Sequence, residues 1–167
     1  GKRVALLVNP TAVDAGLAHA VDRLHEQRDV TLVALFGPEH GVRGEVQDMV
    51  GVARSRDERT GLPVYSLYGE SEASLEPTLD MLDGVDALVY DIQDVGARYY
   101  TFVWTLVHAM RACAKKGVEV IVLDRPNPLG GETVEGASID EGYDSFVGRL
   151  PVANRHGMTV GEIANMA

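Results

Sequence analysis

Residues 87–123, ALVYDIQDVGARYYTFVWTLVHAMRACAKKGVEVIVL, decide the fold. Ala87 to Asp91 is a near-continuous apolar run, and so is Val118 to Leu123. Strands read this way, rather than alternating, when helices cover both faces of a parallel sheet. Between the two runs Phe102, Val103, Leu106, Met110 and Cys113 recur at helical spacing and predict a helix over Thr101 to Lys116. Lys115 and Lys116 suit the negative end of its dipole, and Gly117 supplies a left-handed terminal residue. Strand, helix and strand in this order make a βαβ unit, whose crossover is right-handed.

The same pattern extends outward. Val4 to Val8 and Thr31 to Phe36 are further strand candidates, with a weaker one at Val64 to Tyr68. Asp14 is expected to cap a helix carrying Leu17, Ala18, Val21 and Leu24. Leu75 to Leu82, with Pro77 near its start and Gly84 past its end, predicts a short helix. Thr159 and Glu162 have capping-box spacing for a last one. The chain, 1–167, is therefore expected to be one α/β domain, a Rossmann-like, mostly parallel sheet with helices on both faces. Residues 42–62 form a polar insertion, readable as a lid or a surface excursion, and residues 125–157 carry no strong period. Starting on a strand at Gly1 and stopping inside a helical pattern at Ala167, the chain reads as a piece of something longer.

Composition bounds the function. With 167 residues, 46% apolar and 24% charged, the chain can build a core without staples. Fifteen Lys and Arg against 25 Asp and Glu leave a net charge of −10, which argues against nucleic acid or an anionic membrane as partner. No stretch approaches the roughly 18 apolar residues of a membrane span. The N-terminus is not expected to be a signal peptide. The single cysteine, Cys113, lies in the apolar helical stripe and reads as a buried, inert thiol. No Gly-x-Gly-x-x-Gly follows the first strand, and neither a Walker loop nor a Gly-x-Ser-x-Gly elbow occurs. No cofactor and no serine nucleophile are expected.

Polar clusters stand where strands end. Phe36 runs into Gly37-Pro38-Glu39-His40-Gly41, Tyr90 into Asp91-Ile92-Gln93-Asp94-Val95-Gly96, Leu123 into Asp124-Arg125-Pro126-Asn127-Pro128, and Val8, more weakly, into Asn9-Pro10-Thr11. Ligands of open α/β sheets bind outside the carboxyl ends of the strands, so these loops are expected to converge on one cleft. It would hold Glu39, Asp91, Asp94 and Asp124 with His40, Arg98 and Arg125. Such a set supports acid/base work at a glycosidic bond, with one carboxyl held protonated and another charged, or a hard divalent cation. Plainer readings exist: Asp91 and Asp124 as turn caps, His40 satisfying a carbonyl, Tyr99 and Tyr100 starting a helix rather than lining a sugar wall. His19, His25 and His108 read as structural or solvated. Glu39, flanked by Pro38 and Gly41, is expected to be the general acid or base, in a partly desolvated site that raises its pKa.

The strings FGPEHGVRGE, TGLPVYSLYG, LVYDIQDVGARYYTF, VLDRPNPLGG, VEG and RHGMTVGE span almost the whole chain in this order. They closely resemble a bacterial family first catalogued as a domain of unknown function and linked to exo-acting β-N-acetylmuramidases. The resemblance implies a Rossmann-like N-terminal domain followed by a smaller C-terminal domain, absent from 1–167, with the cleft at or near their junction. It implies release of N-acetylmuramic acid from non-reducing ends of peptidoglycan fragments during cell-wall turnover, and a secreted or periplasmic location. Carried over by position, Glu39, His40, Asp91, Asp94, Arg98, Asp124, Arg125, Asn127, Glu135 and His156 are site candidates. The first four form the catalytic set; the others, joined by Asn9, Tyr99 and Arg155, bind substrate.

Muramic acid differs from glucosamine by a lactyl carboxylate, which a bidentate guanidinium reads well. Arg98, Arg125 and Arg155 are the expected readers, the alternative for each being an ion pair with a neighbouring Asp. Two other classes fit the same residues: a metal-dependent hydrolase, and a wall-binding module without catalysis. No metal is expected, because zincin spacing is absent and each acidic string carries an Arg that repels a cation at short range. One open sheet walls its cleft on one side only, so the 167-residue piece is expected to fold but not to turn over substrate.

Overall fold

The computed structural model describes residues 1–44, 55–69 and 71–167. Six strands form one sheet: β1 (Lys2–Val8), β2 (Val30–Gly37), β3 (Ser55–Arg56), β4 (Pro63–Ser66), β5 (Ala87–Asp91) and β6 (Glu119–Val122). Their order is β3-β4-β2-β1-β5-β6. Every described pairing is parallel except that of β3, a two-residue antiparallel edge on β4 with no signal in the sequence. The α/β class and the mostly parallel sheet are as expected.

Three of the apolar runs, in β2, β1 and β5, occupy the middle of the sheet, where Leu6, Leu7, Leu35, Phe36, Leu88 and Tyr90 are fully buried. The run from Val118 to Leu123 instead forms the edge strand β6 and is not covered on both faces, Ile121 being 38% and Leu123 45% exposed. Helices α2 (Phe102–Lys116) and α3 (Val160–Met166) pack on the face carrying Leu7, Phe36, Leu88 and Tyr90. The other face, with Val4, Leu6, Leu32 and Leu35, is covered by Val21 and Leu24 of α1 (Ala20–His25). α2 ends at Gly117, left-handed at φ 74°, and Thr159 and Glu162 close a full capping box on α3. Cys113 is buried in α2, and burial pushes its thiol up to about 11, beyond nucleophilic use at neutral pH. Within the described residues no helix is long and apolar enough to cross a membrane.

From β1 the chain builds through β2 to β4 on one side, then returns to β5 on the other. The crevice at the carboxyl ends of β1 and β5 is thus a topological switch point, where sheets of this kind bind ligands.

Two helical expectations are corrected. Asp14 caps no long helix. Its Oδ1 accepts from the backbone N–H groups of Gly16 and Ala18, and Leu17 sits at φ 62° with 79% exposure. A short acidic side chain here competes with the helix for backbone donors. α1 starts only at Ala20, with His19 as its cap. Leu75 to Leu82 is two 3-10 turns, Glu72–Leu75 and Leu79–Leu82. Pro77 forces the preceding Glu76 into extended backbone at ψ 134°, which separates them.

Residues 45–54 of the expected polar insertion lie outside the described residues. Its flanks are tied together, since Arg43 Nε donates to Asp57 Oδ1 at 2.6 Å and Arg43 Nη2 to Asp22 Oδ1 at 2.8 Å. Residues 125–157 hold only isolated bridges, Glu135 to Arg155 and Ser145 to Gly148 among them.

Candidate active site

Val8 and Asp91 are register partners at the ends of β1 and β5, so the loops leaving them start side by side. Asn9 is buried, and its Oδ1 accepts from Thr11 N at 2.9 Å and Thr11 Oγ1 at 2.5 Å. Thr11 Oγ1 in turn accepts from Gln93 N at 2.9 Å, which ties the two loops together. His19 Nδ1 accepts from Val21 N, so its proton is on Nε2, which donates to the Asn9 carbonyl at 3.0 Å.

A third strand end joins them. Beyond β6, the Arg125 guanidinium bonds Asp91 Oδ1 with one nitrogen and donates to the Thr11 carbonyl at 3.1 Å with another. The Asp91 side chain is only 6% exposed. Burial raises its carboxyl above its ordinary value, and the Arg125 charge and hydrogen bond offset only part of that. A desolvated carboxyl with a specific charge partner at a switch point has the properties of a proton-transfer site.

Asp94 lies deeper. Its Oδ2 accepts from Gly96 N at 2.8 Å and stands 3.2 Å from His156 Nε2, both side chains being closed to water. Met158 N donates to His156 Nδ1 at 3.2 Å, so the ring proton is on Nε2, facing the carboxylate. Gly96, at φ 84°, approaches so near that a Cβ there would lie 2.3 Å from Asn127 Oδ1. Asn127 is itself held, donating to the Met158 carbonyl and accepting from Leu129 N.

Glu39 and His40 occupy the neighbouring strand end, beyond β2. Gly41 N donates to the Pro38 carbonyl at 3.0 Å and closes a tight turn, with His40 at φ 71°. Turns of this geometry reserve that position for Gly or Asn. A histidine there costs on the order of 1–3 kcal/mol, and such outliers gather at functional sites. Glu39 beside it is half-buried.

The remaining candidates divide by what they touch. Asp124 anchors α3, its Oδ2 accepting from Thr159 Oγ1 at 2.7 Å and its Oδ1 from Gly161 N at 2.9 Å. Arg98 Nη1 donates to the carbonyls of Ala137 and Val152, and Arg155 bonds Glu135 Oε2 at 2.7 Å and the Leu129 carbonyl at 2.6 Å. These two arginines hold loops, whereas Arg125 holds Asp91. Tyr99 is 58% exposed and stacks obliquely on Tyr100 at 5.6 Å. Thr11 and Gln93 knit the switch point together without having been singled out, and His19, read from the sequence as structural or solvated, joins them as a structural residue. Only their adjacency to Asn9 and Asp91, or their fit as a helix cap, could have marked them.

A family model described as "Exo-beta-N-acetylmuramidase NamZ, N-terminal" matches residues 4–167. The chain belongs to this family. It is 50% identical over 166 residues to the peptidoglycan beta-N-acetylmuramidase NamZ of Bacillus subtilis, covering 99% of this chain and 39% of that protein. A crystal structure of a DUF1343 family protein from Bacteroides fragilis superposes with a TM-score of 0.90 at 51% identity, and a second from the same organism with 0.79 at 41%. Each covers 99% of this chain and 41% of its own, so the chain spans about two fifths of the length of these relatives. In this NamZ-family domain the strained turn falls in GPEHG, the Asp91 and Asp94 anchors in DIQDVGAR, and Arg125 and Asn127 in DRPNP.

Proposed function

We propose that this NamZ-family chain is the catalytic part of a glycoside hydrolase that releases N-acetylmuramic acid from the non-reducing ends of peptidoglycan fragments in cell-wall turnover. The name of the Bacillus subtilis relative supports the substrate. The chemistry rests on one observation: the carboxyl of Asp91, raised by burial and bonded to Arg125, stands at the switch point at the end of β5, two strands from the turn after β2 that presents Glu39, with only β1 between them. Glycosidic cleavage needs two carboxyl groups in unlike environments, one able to give a proton and one charged.

In this reading Glu39, on the rim, exchanges the proton of the glycosidic oxygen, and His40 orients it. Asp91 is the second carboxyl. Asp94 and His156 set the loop that leads on from Asp91. Arg125, the guanidinium at the switch point, reads the lactyl carboxylate. A further domain, for which the greater length of the relatives leaves room, closes the open side of the cleft.

Within the described residues no three His, Cys, Asp or Glu side chains converge as a cation cage. The test is release of free N-acetylmuramic acid from a muramyl-N-acetylglucosamine disaccharide by the full-length protein, before and after exhaustive chelation. Turnover that survives chelation is expected. Loss restored by one divalent ion would favour the metal hydrolase, and binding without turnover the wall-binding module.

A further inference from the structure

At the carboxyl end of β4, on the far side of β2 from the switch point, lies a depression of about 560 Å³, lined by Tyr68, Ser71, Glu72, Asp144, Phe146 and Arg149 among others. Its position follows from the sheet. Gly37 and Ser66 are register partners at the ends of β2 and β4, and Leu67 N donates to the Gly37 carbonyl at 2.8 Å. Tyr68 therefore leaves β4 beside the point where Pro38 and Glu39 leave β2. The volume lies within the roughly 300–1,000 Å³ of small-molecule sites.

The lining defines the ligand. Tyr68 and Phe146, both half-buried, set their rings 6.0 Å apart at a 47° tilt, which makes an aromatic wall. The Arg149 side chain is 13% exposed and bonds Glu72 through Nη2. Its Nε has no hydrogen-bond partner among the described residues and is closed to solvent, so the ion pair with Glu72 is what fixes the side chain. Glu72 and Asp144 against Arg149 leave the lining one negative charge in excess, which disfavours an acid such as the lactyl group. Aromatic faces beside carboxylate and hydroxyl acceptors suit a neutral pyranose, whose C–H face packs on a ring while its hydroxyls donate to the carboxylates.

We propose that this depression binds the neutral N-acetylhexosamine on the leaving-group side of the scissile bond, with Tyr68 and Phe146 as its platform and the carboxylates of Glu72 and Asp144 accepting from its hydroxyls. The assignment rests on the glycosidase reading above, and none of the catalytic residues of that reading lines the depression. It makes Tyr68 and Phe146 specificity determinants for the sugar attached to the muramic acid.

The experiment compares kcat/KM of the full-length protein on a muramyl-N-acetylglucosamine disaccharide and on an aryl muramide, which has the same glycone and no second sugar. In Tyr68→Ala and Phe146→Ala the ratio of disaccharide to aryl muramide should fall roughly tenfold or more, chiefly through KM. Tyr68→Phe, which keeps the ring, should restore most of it. A ratio unchanged in both alanine variants would overturn the proposal. Should either variant fail to fold, wild-type protein is titrated with N-acetylglucosamine while the amide signals of Ser71 and Ser145 are followed. Shifts confined to the depression support the site, and none at saturating sugar rejects it. Wild-type protein inactive on both substrates would refute the glycosidase reading itself, and the titration would then decide the depression alone.

Discussion

Asp94 and His156 meet in a contact sealed from water, Oδ2 of one 3.2 Å from Nε2 of the other, at 3% and 0% side-chain exposure. This contact fastens the loop leaving β5 to the segment entering α3. Both loops carry other candidate residues, Asp91 and Arg98 on one side and Arg155 on the other. The contact is a close approach without hydrogen-bond alignment, Nε2 having no hydrogen-bond partner among the described residues. Asp94→Ala or His156→Ala, each stripping a buried polar side chain of its neighbour, should therefore cost about 1–3 kcal/mol. Because they lose the same contact, the double variant should cost less than the sum by about 0.5–3 kcal/mol. Urea midpoints of the four proteins measure this, and strict additivity would show that the two side chains are not coupled.

Glu39→Gln keeps the shape of the turn and removes its proton chemistry. In the full-length protein kcat on an aryl muramide should drop by about 10²- to 10⁴-fold, with KM nearly constant. Retention of more than about a tenth of wild-type kcat would move the proton-transfer role to another carboxyl.

Arg125→Ala takes the offsetting charge and hydrogen bond from a carboxyl that burial already raises. The Asp91 pKa should therefore rise further, and whichever limb of the pH–rate profile Asp91 sets should move to higher pH. A profile whose two limbs stay in place while its height falls would remove Asp91 from the proton chemistry.

Asp57 predicts how stability depends on acid. Its side chain is 4% exposed, and burial alone would push its carboxyl up. Arg43, bonded at 2.6 Å, and Thr60, donating through N at 2.9 Å and Oγ1 at 2.7 Å, outweigh that and hold it at about 2. The folded value lies below the unfolded one, roughly 3.9, so the unfolded chain takes up the proton first. The contribution of this network is complete above about pH 4 and is lost as pH falls toward about 2. Thermal midpoints of wild type and Asp57→Asn, recorded from neutral to strongly acid pH, should converge at the acid end. A constant gap would assign the difference to packing alone.

Several features were legible because their causes are local. Leu88, Val89 and Tyr90 announce a central strand, since a strand covered on both faces has no solvent side to alternate with. Gly117 and Thr159 announce the ends of α2 and α3, since caps are satisfied within a few residues. Asp14 and Pro77 misled for the complementary reason. Asp14 spends its oxygens on the next few backbone donors instead of on a helix start, and Pro77 divides one expected helix into two turns.

The candidate site was legible as an inventory and not as an arrangement. Arg98, Arg125 and Arg155 look alike in sequence, each beside an acidic motif. Only the fold distinguishes two that bind loop carbonyls from one whose guanidinium grips Asp91.

By itself the sequence determined the α/β class, the parallel strands, helices α2 and α3, and the family to which the chain belongs. Apolar runs, capping residues and short strings of side chains are all written along the chain. Tertiary structure alone decided that Val8 and Asp91 end in register, that Arg125 from beyond β6 bridges Asp91 and the Thr11 carbonyl of the loop leaving β1, and that the Asp91 carboxyl is raised by burial. A side chain's pKa and its partners are set by what the fold packs around it, and here those neighbours come from strand ends far apart in sequence.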